Sequence, residues 1–343
     1  MKKARCRYYL CTYGRAPFEI DIYDYRDPYP DVFLTYWVRV FQLFEELSSL
    51  NGLTFYVVWN NQLVRDLPSY GSDVVAVILQ DECCTIPRYL GRVKFVFKAY
   101  GFRPQFASSL SGKMGLPSLL KLGKDWAVWA LHLAAFVREN GISIPRQGRL
   151  VIPLGYARQS DIPVKPFGTR RHLMSFLGSI EQYAVYPLSP RALLGMPKAI
   201  ARSRMAEAVR QLATPDDVFI ASTGSYSESI VSDGVNYSEI MADTKICLAP
   251  RGSSPETYRF FEALRQGCVV ICDRLPPHWF YDGCPAIQID DWRDLEATVQ
   301  PLIADPERLY ALHRKSLAWW ESKCSEHAVA AVFARCLEAV KAA

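Results

Sequence analysis

The chain predicts an α/β protein of two domains built on parallel sheets, and three observations predict it. Short apolar runs recur through both halves, among them TFYVVWN at 54–60, DVVAVILQ at 73–80 and CVVIC at 268–272, and runs apolar on both faces suit parallel strands. Helical spacing fills the intervals between them, as βαβ units require. The 343 residues, 50% of them hydrophobic, exceed one compact core and suit two.

In order, RYYLCT at 7–12 is a first strand, ended by Tyr13-Gly14. Residues 16–30 hold Glu19, Asp21, Asp24 and Asp27 among aromatics and read as a loop packed on the domain. Phe33, Trp37, Val40, Leu43 and Leu47 stand at helical spacing and predict a long amphipathic helix over 32–50. Strands follow at 54–60, 73–80 and 93–99. Residues 105–124, rich in Ser, Gly and Lys, predict a surface loop, and Gly112-Lys113 lacks the surrounding pattern of a Walker phosphate loop. WAVWALHLAAFVREN at 126–140 predicts a helix, with His132 packed among apolar neighbours. LVIPLGY at 150–156 is the last strand of this half, and 157–168, with Pro163 and Pro166 and no periodicity, is the hinge.

In the second half, 172–177 predicts a strand turning at Gly178-Ser179, and 181–197 a Pro- and Tyr-rich loop. A helix over 199–212 carries Arg202 and Arg204, read equally as phosphate contacts or as surface charges. A strand at 218–221 and a polar loop at 223–238 lead to the stretch that organises the chain, YSEIMADTKICLAPRGSSPETYRFFEALRQGCVVICD at 237–273. It reads as helix, strand, tight loop, helix and strand. Ser254 suits an N-cap and Pro255 the first helical position, so the helix is expected over 255–266. Thr257, Phe260, Phe261 and Leu264 form its core stripe, Arg259, Glu262 and Gln266 fall on the other side, and Gly267 ends it. A helix N-terminus offers unpaired N–H groups and partial positive charge, so Gly252, Ser253, Ser254 and Thr257 are placed to receive an anion, with Arg251 at the mouth. The same residues also read as an ordinary βαβ crossover with a solvated Arg259–Glu262 pair. Beyond it lie a loop at 276–284 with His278 and Trp279, a strand at 286–289, a helix opened by Asp294, and helix over 308–343.

The stretch KICLAPRGSSPETYRFFEALRQGCVVICD resembles the donor-side segment of exostosin-like glycosyltransferases, a GT-B group. Arg251, Gly252, Arg259, Glu262, Ala263, Gly267 and Cys268 stand at the matching positions of strand, Pro-Arg-Gly, polar loop, Arg, aromatic, Glu-Ala-Leu and Gly-Cys. The resemblance covers roughly residues 168–292 and does not extend to the first half. It implies a GT-B fold, two Rossmann-like α/β domains facing across a cleft. Residues 1–157 then form the acceptor side, 168–320 the donor side, and 321–343 a helix crossing back to the first domain. It implies that the strand-loop-helix holds a nucleotide diphosphate and that Glu262 binds the ribose. Gly178 falls at the family's donor-facing turn.

Ligands of open parallel sheets sit beyond the carboxyl ends of the strands, where the first half places Asp81, Glu82 and Lys98. Asp81 or Glu82 is the candidate base for an acceptor hydroxyl, with turn capping as the plain alternative. Arg251, Arg259, Arg202 and Lys98 are the candidate cations for the leaving phosphate. The expected activity is transfer of a sugar from an anionic donor, a nucleotide sugar by preference, to an oligosaccharide or lipid-linked glycan in bacterial-type surface polysaccharide synthesis. Phosphoribosyl pyrophosphate at the same site, or a silent glycan-binding scaffold, are the alternatives. Fixed charges can replace a metal ion, and without an Asp-x-Asp pair in a strand context no metal or other cofactor is expected.

Composition narrows the classes. A net charge of +5 without a block of Lys and Arg interleaved with aromatics argues against nucleic acid and fits an anionic ligand or membrane surface. Ten scattered cysteines, with no CxxC pair, read as reduced thiols. No long apolar run marks a leader or a membrane span, so the expected place is the cytoplasm, with peripheral contact at the inner membrane face.

Overall fold

Six strands form the first sheet, in the order β2-β1-β3-β4-β5-β6. They are β1 (Arg7–Cys11), β2 (Phe18–Glu19), β3 (Thr54–Asn60), β4 (Gly71–Gln80), β5 (Val93–Lys98) and β6 (Arg149–Val151). All pair in parallel except β2, a short antiparallel edge on β1. The interiors of β3 and β4 are buried on both faces, which is why they read as unbroken apolar runs. Helix α1 (Thr35–Leu47) covers one face, its Phe41 and Phe44 packing on Tyr8 and Phe55. Helix α2 (Gly115–Asn140) covers the other through Phe136, among Val58, Ile78 and Val96. The computed structural model describes residues 4–29, 32–105, 115–141, 145, 147–157, 159, 161–179, 197–212, 218–221, 230–231 and 235–340.

The second sheet is parallel throughout. Strand β7 (His172–Leu177) is followed by α3 (Pro197–Arg210) and β8 (Val218–Ala221), then by a small hairpin of β9 (Ile230–Val231) and β10 (Val235–Asn236). Next come α4 (Tyr237–Ala242), β11 (Thr244–Ala249), α5 (Tyr258–Arg265), β12 (Val269–Asp273) and β13 (Ile287–Ile289). The spatial order is β13-β12-β11-β7-β8. The chain moves outward from β7 to β8 and then returns to lay β11 on β7's other side. That reversal puts a switch point between β7 and β11, where the loops after the two strands diverge and leave a crevice.

Several boundaries differ from the sequence reading. Helix α2 begins at Gly115, inside the stretch expected to be a loop. The strand expected over 150–156 is only the three residues of β6, because the chain leaves the sheet edge at Ile152. Helix α6 (Leu295–Ile303) follows, and the long C-terminal helix expected over 308–343 is two, α7 (Pro306–Trp319) and α8 (Glu326–Ala339). A π-helical turn at Trp320–Cys324 separates α7 from α8, and the Ser325 hydroxyl accepts the Ala328 N–H to open the last helix. The loop expected over 181–197 and most of that over 223–238 lie outside the described residues.

Helix α8 packs on α1. The Phe333 ring stacks on Phe97 of the first sheet, centroids 3.7 Å apart and planes 6° apart. Tyr36 donates to the Cys324 carbonyl at 2.7 Å, and Ser48 to Glu338 at 3.1 Å. The two mostly parallel sheets with their helices, and the cleft between them, are the two-part α/β layout that the sequence predicts.

Candidate functional site

The cleft lies between loops contributed by both sheets, with about 580 Å³ of open volume. From the first domain come Glu82, Cys84 and Tyr100, together with Ser118, Lys121, Leu122 and Asp125 of α2. From the second come Arg251, Ser254, Pro255, Glu256 and Pro276.

The loop after β11 departs from its expected form. Helix α5 is capped by Thr257, whose hydroxyl accepts the Phe260 N–H, and not by Ser254. Ser254 instead accepts the N–H of Glu256 at 3.3 Å, a local turn that holds Pro255 and Glu256 outside the helix. The loop is therefore longer, and its polar residues face the cleft. The C-terminal end is as expected. Gly267 has φ +70°, its N–H donates to Leu264 and that of Cys268 to Ala263, the paired bonds of a Schellman cap. Arg251 is anchored by its backbone N–H on Asp273 at 2.8 Å, and its guanidinium donates to the Ser253 carbonyl at 3.4 Å. Its Nε is buried and has no partner among the described residues. Burial lowers the Arg251 pKa, opposed by Asp273.

One strand away, across the switch point, two more guanidinium groups share one aromatic face. Arg259 lies 4.4 Å over the Phe176 ring and Arg202 5.9 Å from it. Arg202 is 7% exposed and donates to the Ser179 carbonyl, but its Nε has no partner among the described residues. Nε and Nη1 of Arg259 are likewise buried and without partners there. Burial, then the neighbouring Arg259, pull the Arg202 pKa down to about 9, so it stays charged at neutral pH. Gly178 makes room for this pair. It sits at φ +151°, and a Cβ there would fall 2.0 Å from Arg259 Nη2. Lys198, one helical turn before Arg202 on α3, feels the same field: burial and then Arg202 lower its pKa, while Glu82 raises it. Lys198 passed unnoticed in the sequence, although its spacing of four from Arg202 puts both on one helix face. Arg204, two residues on, pairs with Asp291 at 3.2 Å.

The two candidate bases have different surroundings. Asp81 is 1% exposed and takes the Thr85 hydroxyl at 2.6 Å, the Thr85 N–H at 2.9 Å, Gln62 at 3.1 Å and Lys98 Nζ at 3.1 Å. It caps the turn after β4 and does not line the cleft. Lys98 is fully buried, donates to the Gly101 and Ala99 carbonyls, and is paired with Asp81 instead of reaching the cleft. Glu82 does line it. Burial raises the Glu82 pKa, opposed by the nearby Lys121, Ser253 and Lys198.

Glu262 is 4% exposed, so the solvated ion pair is not what this helix face forms. Its carboxylate accepts the Ala157 N–H at 3.1 Å and the Tyr237 hydroxyl at 2.8 Å, and it is not among the cleft-lining residues. Burial raises its pKa, against those two bonds. Gln266, on the same face, is 1% exposed, with Nε2 on the Ile162 carbonyl. The hinge covers this side of α5, which helical periodicity alone does not reveal. Glu256, overlooked in the sequence, faces the cleft with Tyr281 donating to it at 3.0 Å, and His278 Nε2 lies 3.6 Å from it, beyond hydrogen-bond reach. Trp279 donates to the Val151 carbonyl at 2.7 Å, so the aromatic loop is packed across the domains.

No protein-family model matches this chain. No curated protein matches it either. Among solved structures, it is similar to WaaG, a glycosyltransferase involved in lipopolysaccharide biosynthesis, at 11% identity over 95% of this chain and 99% of that one, with a TM-score of 0.41. It is similar to Anabaena Alr3699/HepE in complex with UDP and glucose at 10% identity, covering 83% and 92%, with a TM-score of 0.40. A third similarity is to the GtfA/B complex, at 13% identity and a TM-score of 0.41, covering 79% of this chain and 58% of that one. Likenesses this loose assign no residue a role.

Proposed function

We propose that the chain is a glycosyltransferase that moves a sugar from an anionic activated donor, a nucleotide sugar, to a hydroxyl of an oligosaccharide or lipid-linked glycan. The observation that carries the reading is the Arg202–Arg259 pair. Two like charges desolvated side by side repel, and their inner nitrogens lack acceptors among the described residues. A bound anion relieves both costs, and guanidinium forks match phosphate oxygens. The site lies at a switch point beyond the strand ends, beside Arg251 and the Gly252–Ser254 loop.

The donor's diphosphate sits on Arg202 and Arg259, with Lys198, Arg251 and the loop amides completing its cradle; Thr257 shapes the cradle as helix cap. These fixed cations stabilise the charge that develops on the leaving phosphate as the glycosidic carbon–oxygen bond breaks. Glu82 takes the proton of the acceptor hydroxyl as it attacks that carbon, and its raised pKa makes it a stronger base than an ordinary carboxylate. Glu262 holds the hinge to α5 through Ala157 and Tyr237, which positions Arg259 one turn earlier. The exostosin-like motif and a place in surface polysaccharide synthesis belong to the same proposal.

The test is calorimetric titration with UDP, GDP, ADP and phosphoribosyl pyrophosphate, followed by product detection with the matching sugar donors. One nucleoside diphosphate is expected to bind, with affinity falling at least about tenfold in Arg202→Ala and in Arg259→Ala. Binding of none of them, or equal binding by both variants, overturns the reading. Preference for phosphoribosyl pyrophosphate replaces the nucleotide sugar by a ribosyl donor.

A further inference from the structure

Helix α2 has a face that the cleft does not use. Asp125, Trp129, Leu133 and Phe136 turn inward, with Trp129 donating to the Phe102 carbonyl at 2.9 Å. On the outward side, Leu119 is 47% exposed, Leu120 45%, Trp126 42% and Leu131 72%. The exposed positions between these are Gly, Ala and Lys124. A water-facing helix side is ordinarily polar, so this one is an apolar stripe without a described partner. Within the stripe, between Leu119 and Leu131, the exposed charge is Lys124, while Asp125 is buried against Lys121; Arg138, past the stripe, lies 3.9 Å from Glu139.

We propose that α2 docks lengthwise on an anionic lipid surface. Three observations favour lipid over a protein partner. A second copy would bring the same cations face to face. Leu, Ala and Gly offer no side-chain hydrogen bonds to fix a protein partner's register. Trp126 at the stripe's edge has the apolar ring and polar N–H that suit a headgroup boundary. No helix among the described residues is long and apolar enough to cross a membrane, so a helix roughly 39 Å long lies in the plane of the surface. The docking stands independently of sugar transfer, but it adds to that reading. Ser118, Lys121, Leu122 and Asp125 of the same helix line the cleft, so docking sets the cleft beside the headgroups, where a lipid-linked acceptor presents its glycan.

The full chain is sedimented with vesicles of phosphatidylcholine, with and without phosphatidylglycerol. Binding is expected only to the anionic vesicles and weakens with salt. The double substitution Leu120→Glu with Leu131→Glu lowers partitioning at least about tenfold, and Lys124→Glu lowers it several-fold. Calorimetric nucleotide affinity stays unchanged in these variants, so failure to dock and failure to bind a donor are separate results. No partitioning onto anionic vesicles, or equal partitioning by wild type and the double variant, overturns the proposal. Self-association of the wild type that the double variant abolishes, without vesicle binding, assigns the face to a second copy and overturns it as well.

Discussion

Arg202 and Arg259 are held against Phe176 with nitrogens turned away from water, an arrangement that is costly unless an anion completes it. Gly178 is the residue that makes it sterically possible. Gly178→Ala places a methyl group within the volume of Arg259 Nη2, so nucleotide affinity should fall about as far as in Arg259→Ala while both arginines remain. Titration of that variant beside Arg259→Ala checks this, and unaltered affinity removes Gly178 from the site. Glu82 gives a pH signature. Its carboxyl is pushed above the ordinary 4.5 by burial, and only the ionised form accepts a proton. Activity should therefore rise with pH through a limb lying above the usual carboxylate range, and fall as pH drops below it. Glu82→Gln should lose about a hundredfold in kcat or more and flatten that limb, with donor affinity kept. Pre-steady-state rates across the pH range decide this. In the sequence, Arg251 and Arg202 were legible from loop and helix position. Glu256 was not singled out, because a residue that faces a cleft across two domains leaves no periodic trace, and Lys198 was missed although it stands four residues before Arg202.

At the scale of single elements, β4 and β5 are joined at their carboxyl ends by the buried Asp81–Lys98 pair. Such a pair is worth little against an apolar replacement, but breaking it leaves one buried charge uncompensated. Asp81→Asn or Lys98→Met should each cost about 3–5 kcal/mol in urea unfolding, and the double variant should regain part of that loss. Equal, additive losses would show that the two groups do not share one interaction. The strands were read well because their apolar runs are buried from both sides, and β3, β7 and β8 match to the residue. Helix starts were read less well. Ser254 and Pro255 carry every local mark of a helix opening, yet Ser254 closes a turn on Glu256 and Thr257 caps the helix. Two acceptable caps stood within one turn, and tertiary contacts decided between them.

At the scale of the whole molecule, one hydrophobic cluster runs through both halves, and bonds cross between them, among them Gln80 to the Tyr258 hydroxyl at 3.0 Å, Trp279 to Val151 and Tyr36 to Cys324. The parallel strands were visible as apolar runs, but the helices expected between them are absent from the first sheet's middle, where β3, β4 and β5 follow one another directly, and these cross-domain bonds join residues up to 288 positions apart. No local pattern encodes them. Phe333→Ala deletes a fully buried ring stacked on Phe97 and should cost about 3–5 kcal/mol, felt in the first domain. Limited proteolysis should then cut between β1 and β6 before it cuts the second sheet, and cleavage confined to the second sheet would contradict this. The position of that ring also bears on how the polypeptide is born. A domain emerging first from the ribosome ordinarily folds before its successors. Here the leading half cannot finish its interior until α8 has been made, because Phe333 is missing from it before then. Until then its unfinished apolar surface, around Trp37 and Phe97, stays open to chaperones.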